Sequence, residues 1–199
     1  VSLDYPDERH DEFCAIPGLF RRIESLAKSL DSEDNKAVTL NSVVQRDNFR
    51  ELVPMAELAA EWGLGINFSP YTWLRTGDRG YMIPRDELPE FERVIRRLID
   101  FKRRRGTVRT TDSFFYDMLE FFRNGSIPNC RAGERFLVVN PDGTLSPCGL
   151  IITDYRTWGE LKDGFTKHNT CTFCHTCIRS STEKPFNNLI TGAMQTLNR

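Results

Sequence analysis

Charged or polar residues interrupt every apolar run of this chain well before the ~18–20 residues a membrane-spanning helix needs. A membrane partner is therefore not expected. Charge of one sign is lacking too: Lys and Arg total 27, Asp and Glu 28, and the net charge is −1. That balance removes the electrostatic case for nucleic acid or an anionic membrane surface. Internal repeats and low-complexity tracts are absent. No export signal is visible in the opening V-S-L-D-Y-P-D-E-R-H, which is polar from its fourth residue, though a truncated start would hide one. The expected location is cytoplasmic. The chain also lacks an initial Met, and its first residues read as the end of a strand. We expect a fragment, cut from a longer protein inside a domain.

What is present is ordinary globular composition, 39% hydrophobic and 28% charged, with one feature that is not ordinary. Six cysteines stand at 14, 130, 148, 171, 174 and 177, five of them in the last 70 residues. In a reducing compartment, two-residue spacing favours a metal centre over disulfides.

The pattern ahead of the cysteines alternates. Residues 1–3 read as a strand end running into an acidic loop. Leu19, Ile23, Leu26 and Leu30 follow helical spacing behind Pro17. A polar loop over 31–36 leads to a strand over 37–44, rich in β-branched residues. A turn over 45–48 follows, with Asn48 as the expected N-cap of a helix over 49–62 that Gly63 ends. A strand over 66–69, a loop over 70–81 and a helix over 86–105 complete the series. In the last of these, 102–105 reads K-R-R-R, cations that oppose the negative end of the helix dipole. Strict alternation predicts an α/β fold with parallel strands and right-handed crossovers. Three βα units cannot close a barrel, which again suggests a missing N-terminal part. The loop over 70–81 carries Tyr71, Trp73, Arg75 and Tyr81 and is read as a packed cover rather than a substrate wall.

A helix over 113–123 connects to a different style of sequence. R-F-L-V-V-N-P-D-G-T-L-S-P-C predicts a hairpin turning at N-P-D-G. A short polar stretch over 157–165, the cysteine cluster and a helix over 184–197 follow. The expected organisation is 1–106 as an α/β part, 107–129 as a connecting helix and 130–199 as a cysteine-rich domain.

Thiolates are soft ligands for iron-sulfur clusters and zinc. The antiparallel hairpin brings Cys130 and Cys148 back to one end, and a C-x-x-C from Cys171, Cys174 and Cys177 completes four sulfurs. Four is the count for a [4Fe-4S] cluster or an all-thiolate zinc site. Spacing alone leaves both open, and one cysteine is spare. His168 and His175 are read as exposed loop histidines.

The segments S-L-D-Y-P-D-E-R-H-D-E-F-C-A-I-P-G-L-F, T-L-N-S-V-V-Q-R-D-N-F-R-E-L and L-A-A-E-W-G-L-G-I-N-F resemble the second half of a radical S-adenosylmethionine (SAM) barrel. C-R-A-G-E-R-F-L-V-V-N-P-D-G-T-L-S-P-C resembles the opening of the twitch or SPASM extension of these enzymes, with Cys130, Gly143 and Cys148 on the pattern. The resemblance implies a partial (β/α)6 barrel, 1–106, followed by an auxiliary cluster domain, 130–199. It implies that Ser2 and Asp4 touch the ribose or methionyl group of SAM and that Asn41 lines the same pocket. These three, with Asn67 and Ser69, fall near strand ends, where parallel barrels keep their reactive face.

Two departures matter. The C-x-x-x-C-x-x-C that holds the SAM-cleaving cluster is absent, so a second [4Fe-4S] cluster is expected only in the missing N-terminal part. After Cys148 only C-x2-C-x2-C follows, which fits the smaller twitch type with one auxiliary cluster. Cys14 stands where relatives often carry Arg and is read as a lone core or loop cysteine. The implied function, when intact, is to generate a 5'-deoxyadenosyl radical that abstracts hydrogen from an unknown peptide or small-molecule substrate. The auxiliary cluster would bind the substrate or take up an electron, and flavodoxin or ferredoxin would be the electron donor. The alternative is a non-catalytic zinc-ribbon module on an α/β scaffold that binds a protein partner.

Overall fold

Residues 39–44 alternate between a buried and an exposed face, as a strand covered on one side must. They form β1 (Thr39–Val44), which pairs in parallel with β2 (Gly65–Pro70) over the whole of both strands. Single parallel bridges extend this ladder on both sides. Ser2 lies opposite Asn41, and Val108 opposite Ile66. Four parallel stretches thus stand side by side in chain order. The fourth, around Val108, was not expected from the sequence. Its pairing rests on two backbone bonds, from Ile66 N to Thr107 O at 3.0 Å and from Arg109 N to Ile66 O at 2.8 Å. The computed structural model describes residues 1–30, 37–176 and Arg179. The loop over 31–36, Cys177 and the helix expected over 184–197 lie outside them.

Helices join the strands: α1 (Arg9–Cys14) and α2 (Leu19–Ser29) before β1, α3 (Leu52–Glu61) before β2, and α4 (Leu88–Arg105) after it. α1 replaces the expected acidic loop. The Asp7 side chain accepts the Arg9 amide at 3.0 Å, and Asp11 accepts the amides of Gly18 and Phe20 at 2.6 and 2.7 Å, which fixes the entry to α2. Asn48 also departs from expectation. It is fully buried and does not cap the next helix. Its amide instead accepts from Gln45 N and donates to Asp4 O and Val43 O, pinning two strand ends together. The chain then enters α3 through a 3-10 turn, Phe49–Glu51.

One face of the sheet carries the core. Leu40, Val44, Ile66 and Phe68 pack with Met55, Ala59, Phe91, Ile95, Leu98 and, from α5 (Asp112–Asn124), Phe115 and Met118. Each of these side chains larger than Ala59 contributes roughly 1.5–3 kcal/mol by leaving water. The opposite face carries Ser2, Asn41 and Asn67 as register partners in one row, with Ser2 and Asn41 exposed.

The cations of 102–105 stand in the last turn of α4, as the sequence suggests, but Lys102 does more than face the helix dipole. It is 2% exposed and turns inward, donating to Thr110 O and to Asp112 Oδ1, both at 2.7 Å. Gly106, at φ 74°, ends α4 so that this reach is possible.

The C-terminal part is built on a short hairpin, β3 (Val138–Val139) with β4 (Leu145–Ser146). Tyr155 adds to the other side of β4 through two bonds with Leu145. α6 (Trp158–Gly164) occupies the stretch read only as polar, capped by the Thr157 hydroxyl accepting from Glu160 N. Gly133, at φ 77°, carries the chain under the turn after α6. A Cβ there would lie 2.6 Å from Thr166 Oγ1 and 3.3 Å from the Phe165 ring, so the position requires glycine on both counts. The chain is thus a mixed α/β protein. Among the described residues, no helix is long and apolar enough to cross a membrane.

Candidate metal centre

Cys130, Cys148, Cys171 and Cys174 line one cavity of about 230 Å³. None of the cysteines among the described residues is in a disulfide. Cys177 lies outside the described residues. The four thiols arrive from three places. Cys130 precedes the turn of Gly133, Cys148 follows β4, and Cys171 and Cys174 come from the loop after α6.

Three braces hold these arms together. Asn169 donates to Cys130 O at 2.7 Å and Ala132 O at 3.4 Å while its carbonyl accepts from Cys171 N at 3.0 Å. Ile127 N donates to Thr172 O at 2.8 Å. The Arg179 guanidinium, 1% exposed, donates to the carbonyls of Cys174, Ile127 and Pro128 at 2.5–2.7 Å. One amide and one guanidinium thereby fix the segment before Cys130 against the loop of Cys171 and Cys174. Sequence spacing pointed to the cysteines but not to these braces, because a lone Asn and a lone Arg carry no pattern.

Crowding and burial hold protons on the sulfurs. The Cys171 thiol is pushed up by its hydrogen bond with Cys130 and by burial, and Cys174 is pushed up to about 11, chiefly by burial, against the opposing pull of Arg179. A soft cation bound between the sulfurs would displace those protons, so any metal uptake here would be proton-linked. Backbone amides already point at sulfur: Ile151 N donates to Cys148 Sγ at 3.3 Å, and the Phe173 amide to Cys171. Such bonds stabilise thiolate character. The remaining wall is mostly apolar, from Leu74, Ala132, Phe136, Leu150 and Ile151, with Gly149 and the hydroxyl-bearing Thr176. Among the described residues, no three His, Cys, Asp or Glu side chains close on one point tightly enough for a single ion. The four thiols share one cavity, with Cys171 and Cys130 in hydrogen-bond contact.

His175 corrects an expectation. It is 3% exposed, not a solvated loop residue, and stacks on Phe114 with ring centroids 4.2 Å apart. His168 is exposed as expected.

The residues expected to face SAM fall into two groups. Ser2 and Asn41 share the exposed row with Asn67. Asp4 is 3% exposed, and its carboxylate is occupied: Oδ1 accepts from Val43 N at 2.8 Å and Oδ2 from Ser2 Oγ at 3.2 Å. It orients Ser2 rather than reaching solvent. Behind it lies His10, fully buried, whose Nδ1 accepts from Asp4 N at 3.3 Å. Cys14 Sγ sits 3.7 Å from His10 Nε2, and burial raises the Cys14 pKa, so this thiol is not an activated nucleophile.

Burial lowers the His10 pKa, outweighing the upward pull of Asp4 and Asp11. The unfolded chain therefore binds this proton more tightly than the folded one. Stability is full above the ordinary value near 6.5 and falls as pH drops below it. We expect the thermal midpoint to decline below about pH 6.5, and His10→Gln to flatten that decline. Equal slopes in thermal melts of both proteins would contradict this assignment.

Comparison of the chain with protein-family models, with curated proteins and with solved structures returned no match.

Proposed function

We propose that this chain is the C-terminal half of a radical SAM barrel joined to a twitch-type domain that holds one auxiliary [4Fe-4S] cluster. The observation that carries the reading is the shared cavity of Cys130, Cys148, Cys171 and Cys174. A cavity of about 230 Å³ lined by four thiols leaves room for a core of several atoms. Apolar walls and amide-to-sulfur bonds suit it as well. Bound there, such a cluster supplies one-electron chemistry.

The four parallel stretches in chain order support an arc of a (β/α)6 barrel, with the polar row of Ser2, Asn41 and Asn67 on its inner face. Ser2 and Asn41 would offer a hydroxyl and an amide to the ribose or amino-acid group of SAM. Asp4 would hold Ser2 in place. The C-x-x-x-C-x-x-C needed to cleave SAM is absent from this sequence and would belong to the rest of the protein. The intact enzyme would use SAM to form a 5'-deoxyadenosyl radical and abstract hydrogen from a peptide or small-molecule substrate, with flavodoxin or ferredoxin as electron donor.

Reconstitution with iron and sulfide without oxygen tests this directly. The expected product is brown, with broad visible absorption and about four irons and four sulfides per chain. A colourless protein carrying one tightly held zinc would overturn the reading in favour of a zinc-ribbon module.

A further inference from the structure

Nearly all of the cavity wall comes from residues 130–176; Leu74 is the exception. It belongs to the loop that follows β2, at the carboxyl end of the parallel sheet. Three contacts besides its own hold that loop against the cysteine-rich part. Thr72 Oγ1 donates to Phe173 O at 3.2 Å. The Trp73 and Phe173 rings meet at 5.5 Å, nearly edge to face, with the Arg79 guanidinium on Trp73 at 4.1 Å. Arg75 reaches Gly149 O at 3.4 Å. Both anchors lie beside ligand candidates, since Phe173 stands between Cys171 and Cys174 and Gly149 follows Cys148.

We propose that Leu74 is a residue of the metal site, supplied by the sheet, which closes the cavity on the side the cysteine segments leave to it and sets how fast the centre exchanges with solvent. The inference rests on the iron-sulfur reading for the identity of the centre, though the closure itself does not depend on which metal is held. An apolar side chain suits the position: it excludes water from sulfur without offering a competing ligand. Residues 72–75 act as a strap, because hydrogen bonds and the aromatic pair fix the backbone on both sides of Leu74. The strap also joins the loop at the sheet's carboxyl end to the cysteine-lined cavity.

The test compares wild type, Leu74→Ala, Leu74→Ile and Thr72→Val after anaerobic reconstitution with iron and sulfide. Iron per chain at the start is expected to be equal in all four. Stripping by EDTA, followed by loss of visible absorption, is expected about tenfold faster or more in Leu74→Ala, for a partly buried Leu trimmed to Ala. Leu74→Ile stays near wild type. Thr72→Val keeps the side-chain shape, loses the bond to Phe173 and shows a smaller acceleration, which preserves the test should Leu74→Ala fold poorly. Equal stripping rates across the set overturn the proposal. Wild type that takes up no iron would instead sink the iron-sulfur reading. The closure is then read on the metal-free chain by N-ethylmaleimide alkylation of Cys148 and Cys174. Faster alkylation in Leu74→Ala supports it, and equal rates overturn it.

Discussion

Replacing Cys148 with Ala is expected to abolish the metal centre, leaving almost no iron or sulfide after reconstitution and no visible absorption. Cys148 is one of four sulfurs around the cavity and accepts the Ile151 amide. Its loss leaves three of the four thiols seen on the cavity, an open wall and a donor without its acceptor. The hairpin offers no substitute, since its ladder is two residue pairs long and cannot hold the arms together alone. A metal held here would also supply folding energy. The C-terminal part should therefore loosen, with its amides exchanging faster and the thermal midpoint of the loaded protein falling by at least ~4 °C, equivalent to about 1–2 kcal/mol at this size. Cys14→Ala is the control. That thiol lies beside His10, at the other site, and the variant should load iron as wild type does. Full iron content in the Cys148 variant would show the ligand set to be wrong.

Lys102→Ala is expected to cost roughly 3 kcal/mol of stability without touching the cysteine site. The ammonium is buried and ties the end of α4 to the start of α5 through Thr110 O and Asp112. Removing it strands the Thr110 carbonyl and opens a hole where the alkyl stem packed. Asp112 suffers less: its side chain is 27% exposed and lies in the first turn of α5, where the helix amides favour an anion. That is why the estimate sits at the low end for a broken buried pair. Lys102→Met, which keeps the stem, should cost less than Lys102→Ala. Urea titration of the three proteins measures both differences, and a loss below about 1 kcal/mol for the Ala variant would contradict the role assigned to Lys102.

How much of this could be read from the residues depended on whether a signal was periodic or solitary. α4 announced itself by apolar residues at Phe91, Val94, Ile95, Leu98 and Ile99, with Pro89 in its first turn and Gly106 beyond it. β1 and β2 were legible from β-branched and aromatic content. The parallel stretch at Val108 was missed although T-V-R-T-T over 107–111 is rich in β-branched residues; the run is short, and two backbone bonds to Ile66 make the pairing. α6 could have been found: Thr157 and Glu160 are spaced as a capping pair, and Glu160 Oε2 accepts from Arg156 N at 2.8 Å. Asn48 misled for a physical reason. The same short amide that caps helices also bonds buried strand ends, and tertiary partners decided between them. At the metal centre the spacing of the cysteines carried the argument, whereas Leu74, Asn169 and Arg179 are single residues brought in by the fold.

The central claim is that Cys130, Cys148, Cys171 and Cys174 surround one multi-iron core. Iron-edge X-ray absorption on the anaerobically reconstituted protein measures this most directly. The account predicts a sulfur shell around iron together with a short iron–iron shell, both lost in Cys148→Ala. Scattering from sulfur alone, with no metal neighbour, would mean a single-ion site and would contradict it.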